Sequence, residues 1–216
     1  MSANGSVIAL ARERRPSTNT RMQLLVCSWD ASLQNWTKSV ILNDCCLQHV
    51  RLSLSDNGST LAAGMPCYED HCQGRSRVYR HNSSSSRWTQ LGNDLRGIQR
   101  FGLSGEAIAL TADGSRVAIA SPYHSTLEAY EAGHVRVFEY DETQNWRQVG
   151  GNVKGRILGG NTFGRSLAMS ASGDHVAIGS NGTVYVFEKM KTTAHGLGAD
   201  VRFPVPPEHH GNARLQ

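Results

Sequence analysis

The stretch "AIALTADGSRVAIASP", residues 107–122, decides the fold. Ile108 and Leu110 share one face of a strand, Val117 and Ile119 share one face of the next, and Asp113-Gly114 lies between them. Alternation of this kind marks half-buried strands, because successive side chains on a strand point to opposite faces. Asp-Gly is a favoured hairpin pair, since both central residues of a type I′ turn have positive φ. Relatives of this hairpin stand at 1–11 ("MSANGSVIALA"), 50–66 ("VRLSLSDNGSTLAAGMP") and 166–180 ("SLAMSASGDHVAIGS"). Their turn glycines fall at 5, 58, 114 and 173, so the intervals are 53, 56 and 59. The hairpin is a repeat.

The rest of the unit repeats with it. A third strand follows each of Gly74, Gly133 and Gly182, reading "RSRVYRH", "HVRVFEY" and "TVYVFEK", with a weaker "LLVCSWD" at 24–30. Val78, Val137 and Val186 fall on its apolar side. A polar turn and a tryptophan come next, at Trp36, Trp88 and Trp146, and "WTQLGNDLRG" and "WRQVGGNVKG" read as the fourth strand. No helical period appears in the repeats. One such four-stranded sheet cannot bury its apolar face alone, and units of this kind that repeat regularly point to propeller blades. Small residues (Ala62, Ala63, Ala118, Ala120, Ala177) allow neighbouring sheets to approach closely. The expected fold class is all-β, a propeller-like array of four-stranded antiparallel blades. A plain β-sandwich is the weaker reading, because turn, glycine and tryptophan positions keep register together.

The same residues resemble the FG-GAP-type β-propeller repeats of large extracellular proteins. The resemblance rests on "FGRSLAMSASGDHVAIGS" and "ALTADGSRVAIASP", followed by "GHVRVFEYDETQNWRQVGGNVKG", and covers roughly residues 2–189. Phe163-Gly164 fits the family register, whereas Phe101-Gly102 sits three residues early. WD40 propellers are a second resemblance, through "GSNGTVYVFE" at 179–188 and "WD" at 29–30. Their units of about 40–45 residues are shorter than those found here. Divided this way, the chain reads as a partial blade at 1–46, blades at 47–102 and 103–161, a partial blade at 162–190, and a proline-bearing disordered tail at 191–216. That is about three and a half blades of an incomplete ring.

Composition narrows the function classes. The net charge of +4 is mild, and Arg12, Arg14, Arg15 and Arg21 form a basic loop without the interleaved aromatics that base stacking needs, so no nucleic-acid partner is expected. No run is long enough to span a bilayer, and no membrane segment is expected. No targeting signal opens the chain as written, although the resemblance places a longer parent at the cell surface or outside the cell. Five cysteines leave at least one outside any internal pairing. Cys67 and Cys72 bracket "YEDH", which suits free thiols, a candidate disulfide or a weaker metal site. Sequons stand at Asn4, Asn35, Asn57, Asn82 and Asn181, three of them simply turn pairs. The hairpin turns offer too few carboxylates for calcium, which wants six to eight oxygens, and no cofactor is expected.

Nucleophile elbow, zinc helix, phosphate loop and dinucleotide fingerprint are all missing. What varies between units is the loop joining strands two and three: "RERRPSTNTRM", "PCYEDHCQ", "PYHSTLEAYEA" and "SNG". Rigid strands that present divergent loops commonly carry binding sites. The candidate contact residues are Arg14, Arg15, Glu69, Asp70, Tyr123, Glu128 and Tyr130. The expectation is a non-enzymatic recognition module for a protein or glycan, with self-association through open blade edges. The alternatives are a hydrolase or lyase built on a propeller, or a truncated product without independent function.

Overall fold

The computed structural model describes residues 1–14, 21–42, 49–67, 70–127, 129–143, 145–155 and 163–189. The expected tail at 191–216 and the Cys45-Cys46 pair lie outside them. The described residues form four antiparallel sheets in chain order. Blade one comprises β1 (Val7–Arg14), β2 (Arg21–Asp30) and β3 (Asn35–Leu42). Blade two comprises β4 (Arg51–Leu54), β5 (Thr60–Met65), β6 (Arg75–Asn82) and β7 (Arg87–Gln90), with the two-residue β8 (Leu95–Arg96) also on β6. Blade three repeats that plan with β9 (Ala107–Leu110), β10 (Arg116–Ser121), β11 (His134–Asp141), β12 (Asn145–Gln148) and β13 (Val153–Lys154). Blade four comprises β14 (Ser166–Met169), β15 (His175–Ser180) and β16 (Thr183–Glu188). The first strands β4, β9 and β14 lie side by side along the inner edge, and the sheets form an open, propeller-like arc rather than a closed ring.

The repeated turn differs from the two-residue hairpin expected. Between paired Leu110 and Val117 it is a wider loop, and only its glycine has positive φ, +73° at Gly114. A side-chain box closes it. The Asp113 carboxylate accepts hydrogen bonds from Thr111 Oγ1 (2.6 Å), Ser115 Oγ (2.8 Å) and Ser115 N–H (2.9 Å), and the Arg116 N–H donates to Thr111 Oγ1 (3.0 Å). Ser55, Asn57 and Ser59 build the same box in blade two, and Ser2, Asn4 and Ser6 build it in blade one. The residue before each Asn or Asp then ties the blades together. The Ala3 N–H donates to the Asp56 carbonyl (2.9 Å), Asp56 N–H to Ala112 (2.9 Å), and Ala112 N–H to Ala171 (3.0 Å). The turn motif is thus a clasp between sheets as well as a loop.

Each blade has two unlike faces, and their alternation makes the core. The face toward the following blade carries small residues and valine, as in Ala118, Ala120, Val135 and Val137 of blade three. The face toward the preceding blade carries larger groups, as in Val176, Ile178 and Phe187 of blade four, which pack on those four. The same pairing joins Ala62 and Val78 to Val117, Ile119 and Phe138, all buried. Small against large lets sheets interdigitate without voids. Tryptophan serves the large face: Trp146 packs beside Tyr140 (5.2 Å between ring centres) and donates from Nε1 to the Leu91 carbonyl of the preceding blade (2.7 Å).

The offset of Phe101-Gly102 has a structural answer. Phe163 is buried among Val135, Val137, Tyr185 and Phe187, and Gly164 donates its N–H to Gly179. In blade three the corresponding glycine is Gly105, whose N–H donates to Ala120, so Ser104 occupies the place of the phenylalanine. Phe101 is displaced onto the surface, 63% exposed with φ +60°.

Candidate functional site

The connections between strands two and three, and the passages between blades, gather at the rim opposite the clasp turns. Backbone bonds sew the passage after blade two onto the loop of that blade: the Phe101 N–H donates to the His71 carbonyl (2.6 Å), Leu103 N–H to Cys72 (3.2 Å) and Ser104 N–H to Gln73 (3.2 Å). On its other side the passage meets the blade-three loop, where the Ser125 N–H donates to Gln99 Oε1 (2.7 Å). A cleft of about 420 Å³ opens between the two loops, lined by Gln99, Arg100, Phe101, Tyr123, Tyr130 and Glu131 among others. Phe101 and Leu103 hold positive φ (+60° and +52°), which is strained for bulky residues. Such strain concentrates where surrounding structure imposes a geometry.

Of the residues singled out from sequence, Tyr123 and Tyr130 both line this cleft. Arg165 of blade four reaches across to donate from Nη1 to the Tyr123 hydroxyl oxygen (3.0 Å). Tyr130 is exposed, and a hydrogen bond to Glu131 together with that carboxylate's charge raises its phenol above the ordinary range. Cys67 and Cys72 are joined as a disulfide, with Cα atoms 4.0 Å apart, and Cys72 lines the cleft as well. Arg14 ends β1, far along the chain from these loops, and Asp70 opens a single turn before Cys72; the side chains of both lie outside the described residues. Arg15, Glu69 and Glu128 also lie outside them.

Sequence reasoning missed Gln99, Arg100 and Phe101, because no motif marks a passage between blades, and it did not single out Glu131 within the blade-three loop. It also passed over a buried cationic pocket beneath the rim. His134 is wholly buried, neither ring nitrogen has a hydrogen-bond partner, and its ring stands edge-on to His124, 4.2 Å between centres. Burial first, then the neighbouring His124, Arg136 and Lys154, push its imidazole down to about 3. It is neutral at pH 7 and sealed from solvent, so it cannot meet a substrate as it stands. Arg136 donates to the Arg96 carbonyl (2.7 Å) and to Ser104 Oγ (3.4 Å), supporting the cleft from below. Nearby, Asp94 is shared by Arg75 and Arg77; partial burial pushes its carboxyl up, but hydrogen bonds from both arginines outweigh this and hold it at about 2. At the inner edge Glu106 is paired with Arg51. No group of three metal-ligating side chains occurs among the described residues.

No family model matches the chain, and no curated protein matches its sequence. Solved structures do share its fold. It is similar to a functionally unknown protein of Desulfotomaculum acetoxidans, with 14% identity over 94% of this chain and 53% of that one and a TM-score of 0.54. It is similar to a candidate 6-phosphogluconolactonase of Bacteroides uniformis, at 11% identity over 85% of this chain and 51% of that one, TM-score 0.52. A weaker likeness, TM-score 0.48 at 15% identity over 85% of this chain and 50% of that one, is to the periplasmic gluconolactonase of Pseudomonas aeruginosa. The chain therefore spans about half the length of the solved proteins it resembles. Identities this low speak for the fold.

These neighbours correct the expectation of a non-enzymatic recognition module. The same architecture is found in a protein named as a candidate 6-phosphogluconolactonase, so the fold does not speak for a non-enzymatic module. The physical reason for the miss is that a propeller site is assembled from loops of different blades, so its residues never stand together as a motif.

Proposed function

We propose that this chain forms part of a propeller hydrolase that opens lactone rings, with the rim cleft between the blade-two and blade-three loops as the substrate seat. The observation that carries the reading is the meeting of Glu131, Tyr130 and Arg100 in one cleft, on a fold shared with a candidate 6-phosphogluconolactonase. Lactone hydrolysis needs a base for water and a donor for the oxyanion. Glu131 takes a proton from a water whose oxygen bonds to the carbonyl carbon. As Glu131 takes up the water's proton, the Tyr130 hydroxyl, kept protonated by its carboxylate neighbour, turns its hydrogen bond from Glu131 to the oxygen that becomes negative. Collapse of the tetrahedral centre breaks the ring C–O bond, and the departing alkoxide takes up the proton, giving a hydroxy acid. Arg100 and the Tyr123–Arg165 pair favour an anionic substrate or product.

Within this reading the repeat itself is of the FG-GAP type, supported by the buried Phe163, the positive φ of Gly164 and the four turn positions. Proton release with δ-gluconolactone and with its 6-phosphate tests the proposed activity. The full chain should exceed spontaneous hydrolysis, and Glu131→Gln should lower the enzymatic rate about 100-fold, the scale of a lost general base. A folded chain that adds nothing to the spontaneous rate with either lactone overturns it.

A further inference from the structure

Blades two and three share one structural position at which the charge is balanced in the first and unbalanced in the second. In blade two, Gln90 donates from Nε2 to the Gly92 carbonyl (3.0 Å) and to Asp94 Oδ1 (3.1 Å). In blade three, Gln148 donates from Nε2 to the Gly150 carbonyl (3.2 Å) and to Asn152 Oδ1 (3.0 Å), so Asn152 stands where Asp94 does. The ladders agree: Arg75 pairs with Arg96 on β8, and His134 pairs with Lys154 on β13. Arg75 and Arg77 of β6 therefore correspond to His134 and Arg136 of β11.

Asp94 neutralises its own site. Its carboxylate pairs with Arg75 and accepts from Arg77 Nε (2.7 Å) and Nη2 (3.2 Å). Asn152 carries no charge, and among the described residues no carboxylate pairs with Arg136. That arginine is only 6% exposed, and burial lowers its guanidinium from its ordinary value without any acidic neighbour to raise it. Its Nη2 reaches only neutral acceptors, the Arg96 carbonyl and Ser104 Oγ. A buried charge that lacks a counter-ion is among the costliest arrangements in a folded chain.

The groups around it are short of partners as well. Arg136 Nε, both ring nitrogens of His134, His124 Nδ1 and Ser121 Oγ are buried without a hydrogen-bond partner. Ser121 faces His134 across the β10–β11 ladder, and the His124 ring lies against the His134 ring. Lys154, opposite His134 on β13, adds positive charge.

We propose that this pocket between blades two and three holds a small inorganic anion, chloride, as the counter-ion that Asp94 provides in blade two. Arg136 supplies the opposing charge, and its Nε–H, a His134 ring N–H and the Ser121 hydroxyl are the donors. A bridging water would satisfy those atoms but would leave the guanidinium charge unpaired. His134 and Ser121 are sealed from solvent, which selects a monatomic ion over a polyatomic one.

The test is the melting temperature of the full chain, followed by tryptophan fluorescence, as sodium chloride replaces sodium methanesulfonate at constant ionic strength. Screening is then the same throughout, and only a seated ion separates the two salts. Chloride should raise the midpoint by about 2–4 °C and level off as the site fills. Arg136→Met removes the charge and should abolish that rise. Asn152→Asp builds the blade-two carboxylate into blade three; it should raise the midpoint in methanesulfonate and abolish the chloride response, and it decides the matter alone if the methionine variant does not fold. Equal melting of the wild-type chain in both salts overturns the proposal, as does a chloride response that either folded variant retains in full.

Discussion

Replacing Asp113 by alanine tests whether the repeated turn is held by its side-chain box or by its glycine alone. The carboxylate accepts three hydrogen bonds, from Thr111 Oγ1, Ser115 Oγ and Ser115 N–H, within a partly exposed loop. Each is worth about 0.5–1.5 kcal/mol net, and neighbouring groups that water can reach recover part of the loss. The expected cost of Asp113→Ala is therefore about 2 kcal/mol. Asp113→Asn should cost under about 0.5 kcal/mol, because the Asn57 amide oxygen already makes the equivalent set in blade two. The two variants also separate in acid. Partial burial pushes the Asp113 carboxyl up, but hydrogen bonds from Thr111 and Ser115 outweigh it and leave the group below its ordinary value of 3.8. A group with a depressed folded value contributes stability that is present above its unfolded value and lost as pH falls through the folded one. The aspartate thus adds a loss of stability below about pH 4 that Asp113→Asn lacks. Urea unfolding followed by tryptophan fluorescence at pH 7 and pH 3.5 measures both effects. An alanine variant as stable as wild type, or an asparagine variant as damaged as alanine, would refute the box as the element that holds the turn.

Ile119 is wholly buried between blades two and three, and Ile119→Ala should cost about 3 kcal/mol through lost burial and the cavity left behind; the same denaturant titration reads it. His134 predicts a second acid effect. Its folded value, about 3, lies below the ordinary 6.5, so its neutral form stabilises the fold fully above pH 6.5 and that contribution falls as pH drops toward 3. The slope should approach about 1.4 kcal/mol per pH unit, and His134→Gln should flatten it. A variant whose stability keeps the wild-type slope between pH 6 and 4 would assign the acid sensitivity elsewhere.

Much of the architecture was legible because strand period, turn chemistry and repeat spacing are local properties. Alternation at 107–110 and 116–121 places Val117 and Ile119 on one face without any knowledge of what covers them. The turn type was misjudged for an instructive reason. Asp-Gly suggests two residues of positive φ, yet Asp113 spends its carboxylate on Thr111 and Ser115, and a wider loop results. The cleft was half legible. Tyr123 and Tyr130 stood out because their loop is long and aromatic, whereas Gln99, Arg100 and Phe101 lie in a passage that carries no signal of its own. The early register of Phe101-Gly102 was visible in the sequence, but only the structure shows its consequence, Phe163 buried and Phe101 expelled to the rim.

The sequence by itself determined the unit: four strands, a glycine turn, a tryptophan, and an interval of 53 to 59 residues. These follow from backbone geometry and side-chain alternation, which act within a few residues. Only the tertiary structure decided which blade each face meets, that the turns clasp one another through Ala3, Asp56, Ala112 and Ala171, and that Glu131 joins Tyr130 and Arg100 in one cleft. Those relations join residues about 55 apart in the chain, or loops of different blades. They arise from how sheets stack, which no local pattern encodes.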